Sequence, residues 1–209
     1  MSGTNTTIAS GVYQPGYTVT SAGVTLTNLG TIGGFGLYAT AYVTDVVNAG
    51  TILGSPNYGI LLGVGGLVQN LTGGTIGGAT ALAAGGTSTV VNAGSILGGS
   101  NYGIQLSDGG AVTNQTGGYI TGREAILIDQ VAGSVANYGR IAGDGSYGVQ
   151  LGDGGEVTNF AGTISGYHGV RIRAGGTVVN AGEIYGTAPL GFGVLLINGG
   201  SVTNQSGGT

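Results

Sequence analysis

Val90-Val91-Asn92-Ala93-Gly94-Ser95-Ile96-Leu97-Gly98 is the stretch whose reading decides the fold, because it recurs with small changes along most of the chain. The asparagine returns at Asn28, Asn48, Asn70, Asn92, Asn114, Asn137, Asn159, Asn180 and Asn204, in steps of 20, 22, 22, 22, 23, 22, 21 and 24 residues. An aliphatic residue stands two positions before each copy, from Leu26 and Val46 to Val178 and Val202. An isoleucine follows four to six positions after it, from Ile32 to Ile184, and a glycine two positions beyond that. A register this regular means one supersecondary unit stacked on itself.

Each unit holds three short β signals separated by turns. In the unit from Val46 these are Val46-Val47-Asn48, Thr51-Ile52-Leu53 and Tyr58 to Leu62, the last with Ile60 and Leu62 facing inward. Apolar residues at alternate positions of short, glycine-bounded segments mark strands with one buried face. The expected fold is all-β: a right-handed parallel β-helix, or solenoid, of about nine coils of roughly 22 residues with three short strands per coil. Coils pairing at about 4.8 Å would make a rod on the order of 40 Å long. Residues 1–25 match the repeat poorly and are expected to form an N-terminal capping coil, with residues 26–209 as the repeats. A longer period overlies the first. Asn57-Tyr58-Gly59-Ile60, Asn101-Tyr102-Gly103-Ile104, Ser146-Tyr147-Gly148-Val149 and Gly191-Phe192-Gly193-Val194 are 44, 45 and 45 residues apart, so the repeat is two coils.

Composition supports an ordered chain. Glycine supplies 50 of the 209 residues without a collagen triplet, which taken alone would suggest disorder. The β-branched periodicity and the 41% hydrophobic content argue instead for corner glycines, used where φ must be positive or backbones approach closely. Three prolines are what a chain can hold when nearly every backbone N–H is needed in a ladder. The four basic residues, Arg123, Arg140, Arg171 and Arg173, are too few to track phosphates, so nucleic acid is excluded as a partner. The absence of cysteine excludes disulfides and thiolate metal sites. No apolar run is long enough to span a bilayer, and Met1-Ser2-Gly3-Thr4-Asn5 opens no secretory signal peptide. The chain stops at Gly207-Gly208-Thr209, where the next isoleucine is due, so a segment of a longer protein is expected.

The repeats Val90–Gly98, Gly109–Gly122 and Val202–Thr209 resemble β-helix repeats of bacterial surface proteins. They are similar to autotransporter passenger regions, to filamentous-haemagglutinin-like repeats, and to repeats preceding Hint domains in acetic-acid bacteria. The resemblance covers about residues 24–209 and implies an adhesin-like structural protein, extracellular or on the bacterial cell surface. The expected function is a non-catalytic stalk or adhesive segment with no cofactor. Its expected partners are surface glycans or further copies of the chain, bound end to end or laterally. A self-assembling filament subunit is the first alternative, because a solenoid end presents unpaired strand edges.

Four groups of residues are candidates for more than packing. The nine asparagines are expected to form an internal ladder, with amides bonded to the coils above and below. Asn70, Asn114 and Asn204 also match the N-glycosylation sequon, but equivalent positions such as Asn48 and Asn92 do not, which favours the ladder. Tyr58, Tyr102, Tyr147 and Phe192 form an aromatic column on alternate coils, read either as rings covering glycine corners or as a sugar or protein contact strip. Glu124 and His168 take that position in coils between, with His168, Arg171 and Arg173 expected as solvated surface groups. Asp108 and Asp153, with Asp129 expected near the same corner in the coil between, are candidates for the second alternative, a polysaccharide lyase or hydrolase. Such chemistry needs clustered carboxylates, often with calcium. Asp-Gly-Gly is equally a common turn sequence.

Overall fold

The computed structural model describes residues 5–40 and 44–209. The chain winds through three parallel sheets in strict rotation. Sheet A holds ten strands, from Thr6–Ile8 to Gly200–Asn204; sheet B holds nine, from Tyr13–Gln14 to Glu183–Gly186; sheet C holds nine, from Tyr17–Thr18 to Val194–Leu196. One strand from each sheet makes a coil. The described residues make nine complete coils, and Gly200–Asn204 opens a tenth. This is the expected all-β parallel solenoid.

Coil 5 shows how the repeat encodes its strands. Ser88–Asn92 buries Ser88, Val90 and Asn92 and turns Thr89 and Val91 outward; Ser95–Gly98 buries Ile96; Tyr102–Leu106 buries Ile104 and Leu106. Register aligns these residues with their counterparts in every neighbouring coil. Val68, Val90, Val112, Val135, Val157 and Val178 lie in one row on sheet A. Ile52, Ile76, Ile96, Ile120, Ile141, Ile164 and Ile184 form the row on sheet B. The core is therefore a column of β-branched and leucine side chains, nearly all fully buried. Each such burial stabilises by about 1.5–3 kcal/mol before ordering costs. β-Branched residues suit this packing because their restricted χ1 matches a pleated surface.

The corners account for the glycine load and for the two-coil period. Between sheets C and A, Gly65-Gly66, Gly109-Gly110, Gly154-Gly155 and Gly199-Gly200 all take positive φ on alternate coils. Among the described residues, two of the intervening coils turn the same corner without it, through Gly85-Gly86 and Gly175-Gly176, and a third places Gln130 there at φ +62°. Between sheets A and B, the short corner Asn92-Ala93-Gly94 alternates with longer ones such as Asn114-Gln115-Thr116-Gly117-Gly118, where Gly117 has φ +82°. The glycine that closes this corner cannot carry a side chain: a Cβ on Gly118 would meet Asn114 Oδ1 and the Asn92 carbonyl.

Coil 1 pairs in register with coil 2 through strands of only three, two and two residues. Its sheet A partner for Asn28 is Ile8. Among the described residues no helix is long and apolar enough to cross a membrane.

Candidate functional site

The nine asparagines are brought together in one line at the corner from sheet A to sheet B, buried from Asn28 to Asn180 and exposed at Asn204. Each donates through Nδ2 to Oδ1 of the next coil: Asn28 to Asn48, Asn48 to Asn70, Asn70 to Asn92, Asn92 to Asn114 and Asn137 to Asn159 at 2.8 Å, with Asn114 to Asn137 and Asn159 to Asn180 at 2.9 Å. Asn180 donates to Asn204 at 2.8 Å. The same nitrogen reaches its own corner glycine carbonyl and a carbonyl one coil on, as Asn92 does with Gly94 (3.1 Å) and Tyr119 (3.3 Å). The ladder runs in one direction. Every amide oxygen faces the preceding coil, so Asn28 Oδ1, facing the coil that holds Ile8, is buried without a partner. Asn70 and Asn114 are enclosed in this ladder at 1% and 0% exposure, so the folded chain presents neither sequon to solvent.

The aromatic column lies at the start of the sheet C strands, and in coils 7 to 9 its rings stack with His168. Register places Tyr58, Thr80, Tyr102, Glu124, Tyr147 and His168 in one row, with Phe192 following. His168 lies between Tyr147 (centroids 5.6 Å apart, planes 14°) and Phe192 (5.3 Å, 14°), and meets Tyr167 edge-on at 4.7 Å. These three near-parallel rings turn their faces on one another along the rod axis, whereas Tyr58 and Tyr102 have Thr80 and Glu124 as their row neighbours. The glycine-corner reading also changes in detail. Gly54, Gly98 and Gly143 lie against the backbone carbonyls of Tyr58, Tyr102 and Tyr147, so the tyrosine backbone closes the corner.

His168 lies at the surface, as expected, but is engaged there: Nδ1 accepts the Phe192 N–H at 2.9 Å, and burial, with Arg171 adding, holds its pKa below the usual imidazole value. Arg171 is engaged rather than free; it donates to Gln150 Oε1 at 2.8 Å and lies 5.0 Å over the Tyr147 ring. Arg173 is exposed, as expected. Glu124 is half-buried between Tyr102 and Tyr147. Burial raises its carboxyl pKa above the usual range, opposed by a bond from Ser146 Oγ (3.4 Å) and by Arg123 and Arg171. Burial, then Glu124, likewise raises the Tyr102 phenol.

The three aspartates do not share a position. Strand register puts Asp108 and Asp153 in one column at the corner from sheet C to sheet A, two coils apart, with Val131 between them. Asp129 opens its corner one step earlier, level with Ser107 and Gly152. The offset arises because this corner has one more residue than its neighbours, absorbed by Gln130 at φ +62°. Asp129 is thus not the intervening carboxylate. Among the described residues no three His, Asp, Glu or Cys side chains converge on a metal site. Asp153 instead borders a shallow cleft of about 270 Å³ with Arg173, Ala174 and Asn198, whose Nδ2 donates to the Arg173 carbonyl at 2.7 Å.

One feature has no counterpart in the periodic reading. Tyr138 and Phe160, the residues after ladder asparagines in coils 7 and 8, stack at 4.4 Å with planes 2° apart, and both are exposed. The other coils carry leucine, alanine or glutamine at this position, so the pair is a local departure from the repeat. A groove of about 210 Å³ opens beside Phe160 on the outer face of sheet A. Compared with known proteins, the chain matches no protein-family model, no curated protein and no solved structure.

Proposed function

We propose that this chain is a non-catalytic solenoid segment of a bacterial cell-surface or secreted protein, serving as a stiff stalk with an adhesive outer surface. The observation that carries the reading is the continuous amide ladder alongside an uninterrupted aliphatic column. Together they couple every coil to the next over the whole described length. A body built this way resists bending and local unfolding, because opening one coil breaks ladder bonds on both sides. Asp108 and Asp153 stand two coils apart with Val131 between them and Asp129 is offset from both, which favours turn roles over polysaccharide cleavage. The repeat resemblance to bacterial surface proteins supports the location.

The test is fractionation of the native cells with an antibody to this segment, combined with a cleavage assay on neutral and uronic-acid polysaccharides, with and without calcium. The reading expects surface or medium localisation and no cleavage products. An exclusively cytoplasmic protein, or glycan cleavage lost in Asp153→Asn, would overturn it.

A further inference from the structure

The outer face of sheet A is almost uncharged; its outward positions carry mainly threonine, serine, alanine and valine, with Asp45 and Glu156 as the acidic exceptions. One outward row runs Thr89, Ala111, Ser134, Glu156 and loses bulk in coils 6 and 7; the other runs Val91, Thr113, Ala136, Thr158 and loses it in coil 7 alone. The neighbouring coils keep larger groups, Val91 on one side and Glu156 with Thr158 on the other. The result is the groove beside Phe160, with a floor of methyl and hydroxyl groups.

Its walls are held in place. The Phe160 ring is fixed on one face by Tyr138, and coil 8 projects it through a corner one residue longer than that of coil 7, Asn159-Phe160-Ala161-Gly162 against Asn137-Tyr138-Gly139. Glu156 is positioned by Thr158, whose hydroxyl donates to Oε1 at 2.9 Å. The second carboxylate oxygen remains available to a ligand. No lysine or arginine lines the groove, so its electrostatic sign is negative.

We infer that this groove is a binding site for one amino-sugar unit of a surface glycan. A volume of about 210 Å³ admits a single pyranose ring. The apolar face of such a ring packs on the alanine floor and against Phe160, while its hydroxyls meet Thr113 and Ser134, the combination of apolar lining and few polar anchors typical of ligand sites. The lone carboxylate selects a ligand carrying an ammonium group and disfavours one carrying a carboxylate. The site rests on the adhesive reading given above but is tested separately from it.

The experiment is backbone-amide NMR titration of the intact chain with methyl glucosaminide, methyl glucoside and methyl glucuronide. The inference expects shifts confined to residues around Ala111, Ser134, Ala136 and Glu156, with affinity in the order amine, neutral, acid. Phe160→Ala weakens the amino sugar about tenfold, and Ala136→Phe, which fills the groove, abolishes binding. Glu156→Gln reduces the amino sugar to the level of the neutral one. Because these side chains lie outside the core, unchanged amide spectra elsewhere report an intact fold. No shifts with any of the three sugars, an equal response of amine and acid, or undiminished binding in Ala136→Phe would overturn the inference. Those results leave the stalk reading standing, whereas cytoplasmic localisation with intact sugar binding would remove the surface role and not the groove.

Discussion

At the scale of single residues, the asparagine ladder carries most of the argument. Its positions were readable because an asparagine at constant phase, with only some copies in a sequon, has no simpler account than stacking. Its polarity was not readable, since a sequence does not show which neighbouring coil the N–H and which the C=O of each amide faces. That polarity has an energetic consequence. Asn114 both donates to Asn137 and accepts from Asn92, whereas Asn28 only donates. Asn114→Ala orphans buried groups in both neighbouring coils and is expected to cost about 3 kcal/mol, and Asn28→Ala about half that. Chemical denaturation of both variants checks the ranking; equal costs would mean that the bonds between coils contribute little. The Tyr138–Phe160 pair and the Gln130 left-handed turn were hidden for the opposite reason. They are departures from the repeat, and a periodic reading averages over them.

At the scale of elements, the strands were legible almost residue by residue, while the corners were legible only as glycine. Adjacent glycines there have different jobs. Gly117 has φ +82° with open space where a Cβ would stand, and Gly118 is hemmed in by Asn114 and the Asn92 backbone. Gly117→Ala is expected to cost about 1 kcal/mol of backbone strain. Gly118→Ala must displace the ladder and is expected to cost more than 3 kcal/mol; the difference in denaturation midpoint measures it. The sheet C column makes a prediction about pH. Burial raises the folded pKa of Glu124, so the folded chain holds this proton more tightly than the unfolded one. Stability contributed by this group is therefore full below the ordinary glutamate pKa and falls as pH rises through the raised value. His168 is shifted down, so its contribution is full above the ordinary imidazole pKa and is lost as pH falls toward the folded value. Glu124→Gln should flatten the first slope and His168→Phe the second, read from melting temperature across pH. Unchanged slopes would mean that these groups feel solvent in the folded chain as they do in the unfolded one. The aromatic row itself was legible, but the use of its ring faces was not, because sequence does not show whether aligned rings lie flat on a surface or edge-on to it.

At the scale of the molecule, the chain is a modular stack of coupled coils whose repeating unit is two coils. Two-coil units arise because Gly65-Gly66 and Gly109-Gly110 turn their corner with positive φ, while the coil between does not. Excising residues 66–109 joins Gly65 to Gly110, which has φ +131° and takes the place of Gly66 at φ +151°. Excising only residues 66–87 joins Gly65 to Ser88 and puts a serine where that backbone needs glycine. Small-angle scattering of the intact chain and both variants is the most direct test. The account predicts that the two-coil excision shortens the rod by about 10 Å at unchanged cross-section, and that the single-coil excision is less stable. A two-coil variant that unfolds, or that shrinks in cross-section rather than length, would contradict it.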